Sequence, residues 1–106
     1  MAVREGSAIL FAALGDETRL RLVARLCGEG PKSIARLTAG TNVTRQGITK
    51  HLRVMEEAGL VRCRRQGRES VWRLEQGRLE DARHYLELIS RQWEEALGRL
   101  RKLVEE

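Results

Sequence analysis

At 106 residues, with a formal net charge of +5 and a pI near 10, the chain is the size of one small domain and is biased toward an anionic partner. Its longest apolar run, Ala8 to Leu14, is far too short to cross a bilayer and is followed by no small-residue cleavage pattern, which argues against a membrane segment or a secretory signal. Two cysteines, Cys27 and Cys63, make no disulfide framework and no zinc-type spacing, so a cytoplasmic protein is expected, and an aromatic content of 4% leaves a thin core that should bury part of its apolar surface against a partner.

Residues 1 to 6 read as a lead-in. Ser7 is placed to cap a short helix carrying Ile9, Leu10, Phe11 and Leu14, a face too apolar for solvent. Gly15 ends that helix, and Asp16 caps the next with Glu17 in its first turn, where the helix dipole favours an anion. From Thr18 to Cys27, the residues Leu20, Val23, Ala24 and Cys27 recur at helical spacing, widened by Leu22 and Leu26, and assign Arg19, Arg21 and Arg25 to the opposite side. Gly28 and a turn containing Pro31 close this helix; Ser33 then caps a short one in which Ile34 and Leu37 point inward.

Residues 39 to 42 form a turn, and Thr44 caps a helix that runs to about Ala58, ahead of Gly59. Ile48, Leu52 and Met55, at i, i+4 and i+7, are its buried face; Arg45, Gln46, Thr49, Lys50 and Arg53 are outward. Gly47 inside this helix costs about 1 kcal/mol relative to alanine. A close backbone approach, to DNA or to the preceding helix, would account for it, and both remain open. Leu60 to Arg65 and Glu69 to Leu74 are two strands joined by Gln66, Gly67 and Arg68, with Ser70, Trp72 and Leu74 on one face and Trp72 as packing anchor. Within residues 44 to 73 eight cations face three anions, which equals the excess of the whole chain.

The final segment carries the clearest period. Leu79, Ala82, Leu86, Ile89, Trp93, Ala96, Leu100 and Leu103 alternate spacings of three and four, a heptad-type seam flanked by charges of both signs. A helix over 78–105 is roughly 40 Å long at about 1.5 Å per residue, more than so small a domain covers alone. The seam from Leu79 to Leu100 is therefore expected to pair two copies. His84 lies at helical spacing from Asp81 and Glu87, a grouping read as surface ion pairing rather than as a metal site.

Three blocks, LGDETRLRLVARL at Leu14 to Leu26, VTRQGITKHLRVMEEAGLV at Val43 to Val61 and RRQGRESVWRL at Arg64 to Leu74, resemble the ArsR-type bacterial winged helix-turn-helix repressors. The resemblance covers about Phe11 to Leu74. It implies a mainly α fold with a β-hairpin wing, a recognition helix over 44–58, a wing over 60–74 and a long C-terminal dimerisation helix over 78–105, all in one domain over 1–106. It also implies a homodimer on a palindromic operator, with repression relieved by an effector that these residues leave unspecified. Two metal patterns of the family do not map. SIARLT has no Cys-x-Cys pair, and Asp-x-His, ten residues, His-x-x-Glu begun at Asp81 meets Arg83, Glu94 and Leu97, or begun from His84 meets Ala82, Glu95 and Gly98.

Double-stranded DNA is then the expected partner. Arg45 and Lys50 suit guanine O6 and N7, Gln46 suits adenine, and Thr44 and Thr49 suit phosphate or a thymine methyl. His51 takes a structural or phosphate-contact role, and Arg64, Arg65 and Arg68 are the wing candidates, with Arg68 at the tip for an adjacent minor groove. No cofactor, no metal and no catalytic constellation is expected. Two other readings are a thiol-based redox response through Cys27 and Cys63, set against both being small buried hydrophobes, and a winged-helix protein-interaction module, which the polar outer face of residues 44–58 disfavours.

Overall fold

The computed structural model describes residues 6–105. Five helices and three short strands follow one another: α1 Ser7–Leu14, α2 Glu17–Glu29, β1 Lys32–Ser33, α3 Ile34–Ala39, α4 Arg45–Glu57, β2 Val61–Gln66, β3 Glu69–Leu74 and α5 Gln76–Glu105. The mainly helical fold with a hairpin wing is as expected, with one addition. Lys32 and Ser33 pair antiparallel with Trp72 and Val71, which completes a three-stranded sheet in the order β1-β3-β2. A two-residue strand has no periodicity to announce it; it forms because β3 has a second edge of unpaired backbone groups to satisfy. Among the described residues no helix is long and apolar enough to cross a membrane.

Local signals set most boundaries. The Asp16 carboxylate accepts from Arg19 N–H at 3.0 Å, Ser33 Oγ from Arg36 N–H at 3.3 Å and Thr44 Oγ1 from Gly47 N–H at 3.0 Å, each satisfying a donor that a helix start leaves orphaned. Ser7 does not act this way. It is the first helical residue of α1, Gly6 precedes it without a side-chain cap, and the serine is buried. α2 runs past Gly28 and closes at Gly30. α4 ends on left-handed Gly59, with Leu60 N–H donating to Met55 O and Gly59 N–H to Glu56 O, both at 2.9 Å, a Schellman motif. A strand can follow at once.

Leu22, Leu37, Ile48, Leu52, Met55 and Leu60 are fully buried and join Leu10, Leu26, Val61 and Trp72 in one core, so α4 is seated through the face its i, i+4, i+7 spacing marked. The stripe on α2 is rotated from the expected one. Leu22 and Leu26 are its buried residues, whereas Leu20, Ala24 and Cys27 are exposed. The apolar pattern of α2 fits two overlapping faces equally well, and the position of α4 decides between them.

Three arginines of seemingly outward type are staples. Arg19 donates to Ala13 O at 2.6 Å and Ala12 O at 3.3 Å, closing the end of α1. Arg25 donates to Leu37 O at 2.9 Å and Arg36 O at 3.1 Å, closing α3, and lies so near Gly40 that a Cβ there would sit 2.6 Å from its Nη1. Arg78 joins Ala58 O and Gly6 O, both at 2.9 Å, tying the start of α5 to the end of α4 and the start of α1. Most of these are helix-end carbonyls that lack the usual i+4 donor, while Gly6 O and Ala12 O, already bonded to Leu10 N–H and Gly15 N–H, take the arginine as a second donor.

Only the first part of α5 rests on its own domain. Leu79 packs on the core, Ala82 is buried in it, and Tyr85 meets Phe11 of α1 with ring centroids 5.5 Å apart. These two aliphatic positions therefore serve the intrachain core. Beyond them the seam faces solvent, with Leu86 52%, Ile89 40% and Trp93 63% exposed, and it carries the molecule to 68 Å in its longest dimension.

Candidate nucleic-acid interface

α4 presents its polar side away from the core, because Ile48, Leu52 and Met55 fix its rotation. Arg45, Gln46, Lys50 and Arg53 lie on that side, and Thr49 Oγ1 donates to Arg45 O at 2.9 Å, which fixes the side chain against its own helix. The wing stands beside it. Gln66 pairs with Glu69 across a two-residue tip of Gly67, at φ 63, and Arg68.

Between helix and wing lies a cleft of about 440 Å³. Arg45, Thr49 and Arg53 line it from α4, Arg68, Glu69, Ser70 and Trp72 from the hairpin, and Ser33, Ile34 and Ala35 from the start of α3. Trp72 is buried in the core and floors the cleft, in keeping with a packing role. Arg45, Lys50, Arg53, Arg64 and Arg68 have no acidic partner among the described residues, so their charge is uncompensated at the surface. Arg62, by contrast, is paired with Glu75 at 3.2 Å.

The structure groups the expected contact residues unevenly. Arg45 and Thr49 meet Arg68 at the cleft, whereas Gln46 and Lys50 occupy the neighbouring strip of the helix. Arg65 stands opposite Ser70 and Arg64 opposite Val71, so strand alternation sends the two arginines to opposite faces of the hairpin, and only Arg65 shares the face of Ser70 and Trp72. Arg65 also donates to Gly67 O at 3.3 Å within the tip. Arg53 was not among the sequence-based contact residues. Its signal was there: 45, 49 and 53 are spaced by four and form one row on the helix.

His51 turns toward α2, with Nδ1 3.2 Å from Arg19 Nη1 and 3.9 Å from Asp16 Oδ2, contacts that match the structural one of its two expected roles. The Asp16 carboxyl is held below its ordinary value chiefly by the Arg19 backbone N–H, with further help from the Arg19 charge. Cys27 and Cys63 are both exposed rather than buried; the α2 face is rotated, and Cys63 sits on the outermost strand of the sheet. Gly47 also resolves. A Cβ there would lie 2.7 Å from Val43 Cγ1, so the close approach is to the turn before its own helix. On α5, Asp81 pairs with Arg78 at 3.2 Å and Glu87 with Arg83 at 3.3 Å, the ion-pair reading of the acidic residues around His84.

Residues 14–64 match the family model described as a helix-turn-helix domain. The uncharacterized HTH-type transcriptional regulator YuzN of Bacillus subtilis is 38% identical over 68 residues, spanning 58% of this chain and 74% of that protein. The arsenic resistance transcriptional regulator ArsR1 of Pseudomonas putida is 33% identical over 66 residues, 62% of this chain and 52% of its own length. Among solved structures, an ArsR-like transcriptional regulator from Rhodococcus sp. RHA1 superposes with a TM-score of 0.84 at 34% identity, covering 94% of this chain and 91% of that one. The transcriptional repressor BigR from Xylella fastidiosa gives 0.62 at 28% identity, covering 77% and 83%.

Proposed function

The chain belongs to the ArsR family of helix-turn-helix transcriptional regulators, and from that premise we propose that it is a repressor which binds an inverted-repeat operator as a homodimer. The observation that carries this reading is the convergence of Arg45, Thr49 and Arg53 from α4 with Arg68 from the wing on one cleft, where three arginines outnumber the single carboxylate of Glu69. α4 enters the major groove, where Arg45, Gln46 and Lys50 read base edges, and Arg53 and Arg68 take the phosphates on either side of the cleft. Thr44 and Thr49 add backbone or methyl contacts at the start of the helix. Arg65 supports the wing on the same face.

Pairing through Leu86, Ile89, Trp93, Ala96 and Leu100 sets two such helices about one duplex turn apart, roughly 34 Å, and makes operator symmetry mirror protein symmetry. The free energy for this comes from burying side chains that are now exposed, at roughly 25 cal/mol per Å² of apolar area. Repression follows from occupancy of the operator. The two family metal patterns do not map onto these residues, so the response is assigned to neither.

Fluorescence anisotropy on DNA taken from upstream of the protein's own coding sequence tests the proposal, alongside sedimentation to establish the oligomer. Tight binding by a dimer, competed poorly by random duplex, is the expected result. A folded dimer that binds both DNAs equally weakly at low salt overturns it.

A further inference from the structure

A second cleft, of about 480 Å³, lies on the other side of the helix-turn-helix, between α2 and the turn that leads into α4. Ala24 and Val43 give it an apolar lining in front of the fully buried Leu22, and Arg21 and Arg25 stand at its wall. The two guanidiniums differ in freedom. Arg25 is fixed by Leu37 O, Arg36 O and Glu29, so its planar group is part of the wall and three of its five in-plane donors are already used. What it offers an occupant is its face, which stacks on aromatic rings. Arg21 is largely exposed and engaged only with Glu17 one turn away, a surface pair worth well under about 1 kcal/mol and cheaply exchanged for another carboxylate.

We propose that this cleft is an effector site for a small aromatic carboxylate, its ring lying against Ala24, Val43 and the Arg25 guanidinium and its carboxylate paired with Arg21. A volume of this size suits a one- or two-ring ligand. The cleft is also mechanically connected to the DNA-binding helix. Its far wall is Gly40 to Val43, held by Thr41 Oγ1, which donates to Thr38 O at 3.1 Å and accepts from Val43 N–H at 3.2 Å. Val43 in turn packs on Gly47 in the first turn of α4 with no space to spare. An occupant that displaces Val43 displaces the start of α4, and operator affinity falls. This second half rests on the operator-binding reading; occupancy of the cleft does not.

The test titrates 2-naphthoate, and its neutral isostere 2-naphthamide, into the 15N-labelled full chain. Saturable shifts at Thr41, Asn42 and Val43 are expected, with the amide about fivefold weaker, the scale of one exposed ion pair. Arg21→Ala brings naphthoate to the level of the amide and leaves operator affinity without ligand unchanged. Ala24→Trp, which fills the cleft from an exposed position, abolishes both. Shifts centred on the α5 seam, equal binding of acid and amide, or undiminished binding by the Ala24→Trp variant overturn the site. Operator affinity that does not fall severalfold on saturation overturns the regulatory half alone. A chain that binds naphthoate at this cleft but no operator at all refutes the operator-binding reading and leaves the ligand site standing.

Discussion

Arg19 Nη1 lies 3.2 Å from His51 Nδ1, a part-buried contact that joins α2 to α4. A guanidinium only donates, so Nδ1 is the acceptor in this contact. The same Arg19 closes the end of α1, so one side chain sets three helices against one another. His51→Ala should therefore lower stability by about 1 kcal/mol, the usual worth of such a bond. The salt dependence of operator binding should be untouched. A flatter salt slope in that variant would mean the ring meets phosphate after all.

Asp16, beside that contact, gives a pH signature. Its carboxyl is held below the ordinary value of 3.8, first by the Arg19 N–H it caps. A depressed folded-state pKa means stability that is fully present above the ordinary carboxylate range and lost as pH falls through the folded value. In urea titrations across that range, the parent protein should exceed Asp16→Asn at neutral pH, and the gap should narrow as acid is added. A gap independent of pH would show that the charge contributes nothing.

Arg53 and Arg68 face one cleft from different elements. Replacing either with alanine should weaken binding to operator and random DNA alike and reduce the slope of log K against log salt by about 0.9 for each phosphate no longer neutralised. Arg45→Ala should differ, costing about 1–3 kcal/mol of discrimination at particular base pairs. Loss of sequence preference in Arg53→Ala at constant salt slope would reverse these assignments.

Trp93 is mostly exposed, so Trp93→Arg should change the stability of the isolated protomer by no more than about 0.5 kcal/mol. Sedimentation should nonetheless find a monomer, and specific operator binding should be gone although every DNA-facing residue is present. Tight specific binding by a monomeric variant would break the link between seam and operator.

Gly47→Ala sets two effects against each other. Helix propensity favours alanine by about 1 kcal/mol, but the new Cβ would sit 2.7 Å from Val43 Cγ1, a short β-branched side chain with little freedom to yield. The clash should win, with a net loss of about 1–2 kcal/mol, in the range of overpacking. The double variant Val43→Ala, Gly47→Ala should recover part of it, and additive losses in that cycle would discount the contact.

The helices and the hairpin were legible because each is specified locally, whereas the two-residue β1 was not. Asp16, Ser33 and Thr44 stop and start helices through bonds to residues three places on, and Gly59 and Gly67 supply the left-handed turns that end α4 and close the hairpin. Ile48, Leu52 and Met55 name the buried face of α4 by spacing alone, and with it the outward position of Arg45, Gln46 and Lys50. The grouping of Arg53 with Arg68 was not legible. It depends on where the hairpin stands against the helix, which no local pattern encodes.

By itself the amino-acid sequence determined the order of the helices and the hairpin, the core face of α4 and the two-part division into helix and wing, since these follow from periodicity and capping within a few residues. The tertiary structure decided which of two overlapping faces α2 buries, which arginines are staples and which are free, and which way His51 points. It also split the heptad seam, giving Leu79 and Ala82 to the domain and leaving Leu86 onward open. The physical reason is common to all of these. An arginine or histidine carries the same donors whether it meets a helix-end carbonyl, another side chain or a phosphate, and only the packing of distant segments decides which of them comes within hydrogen-bonding reach.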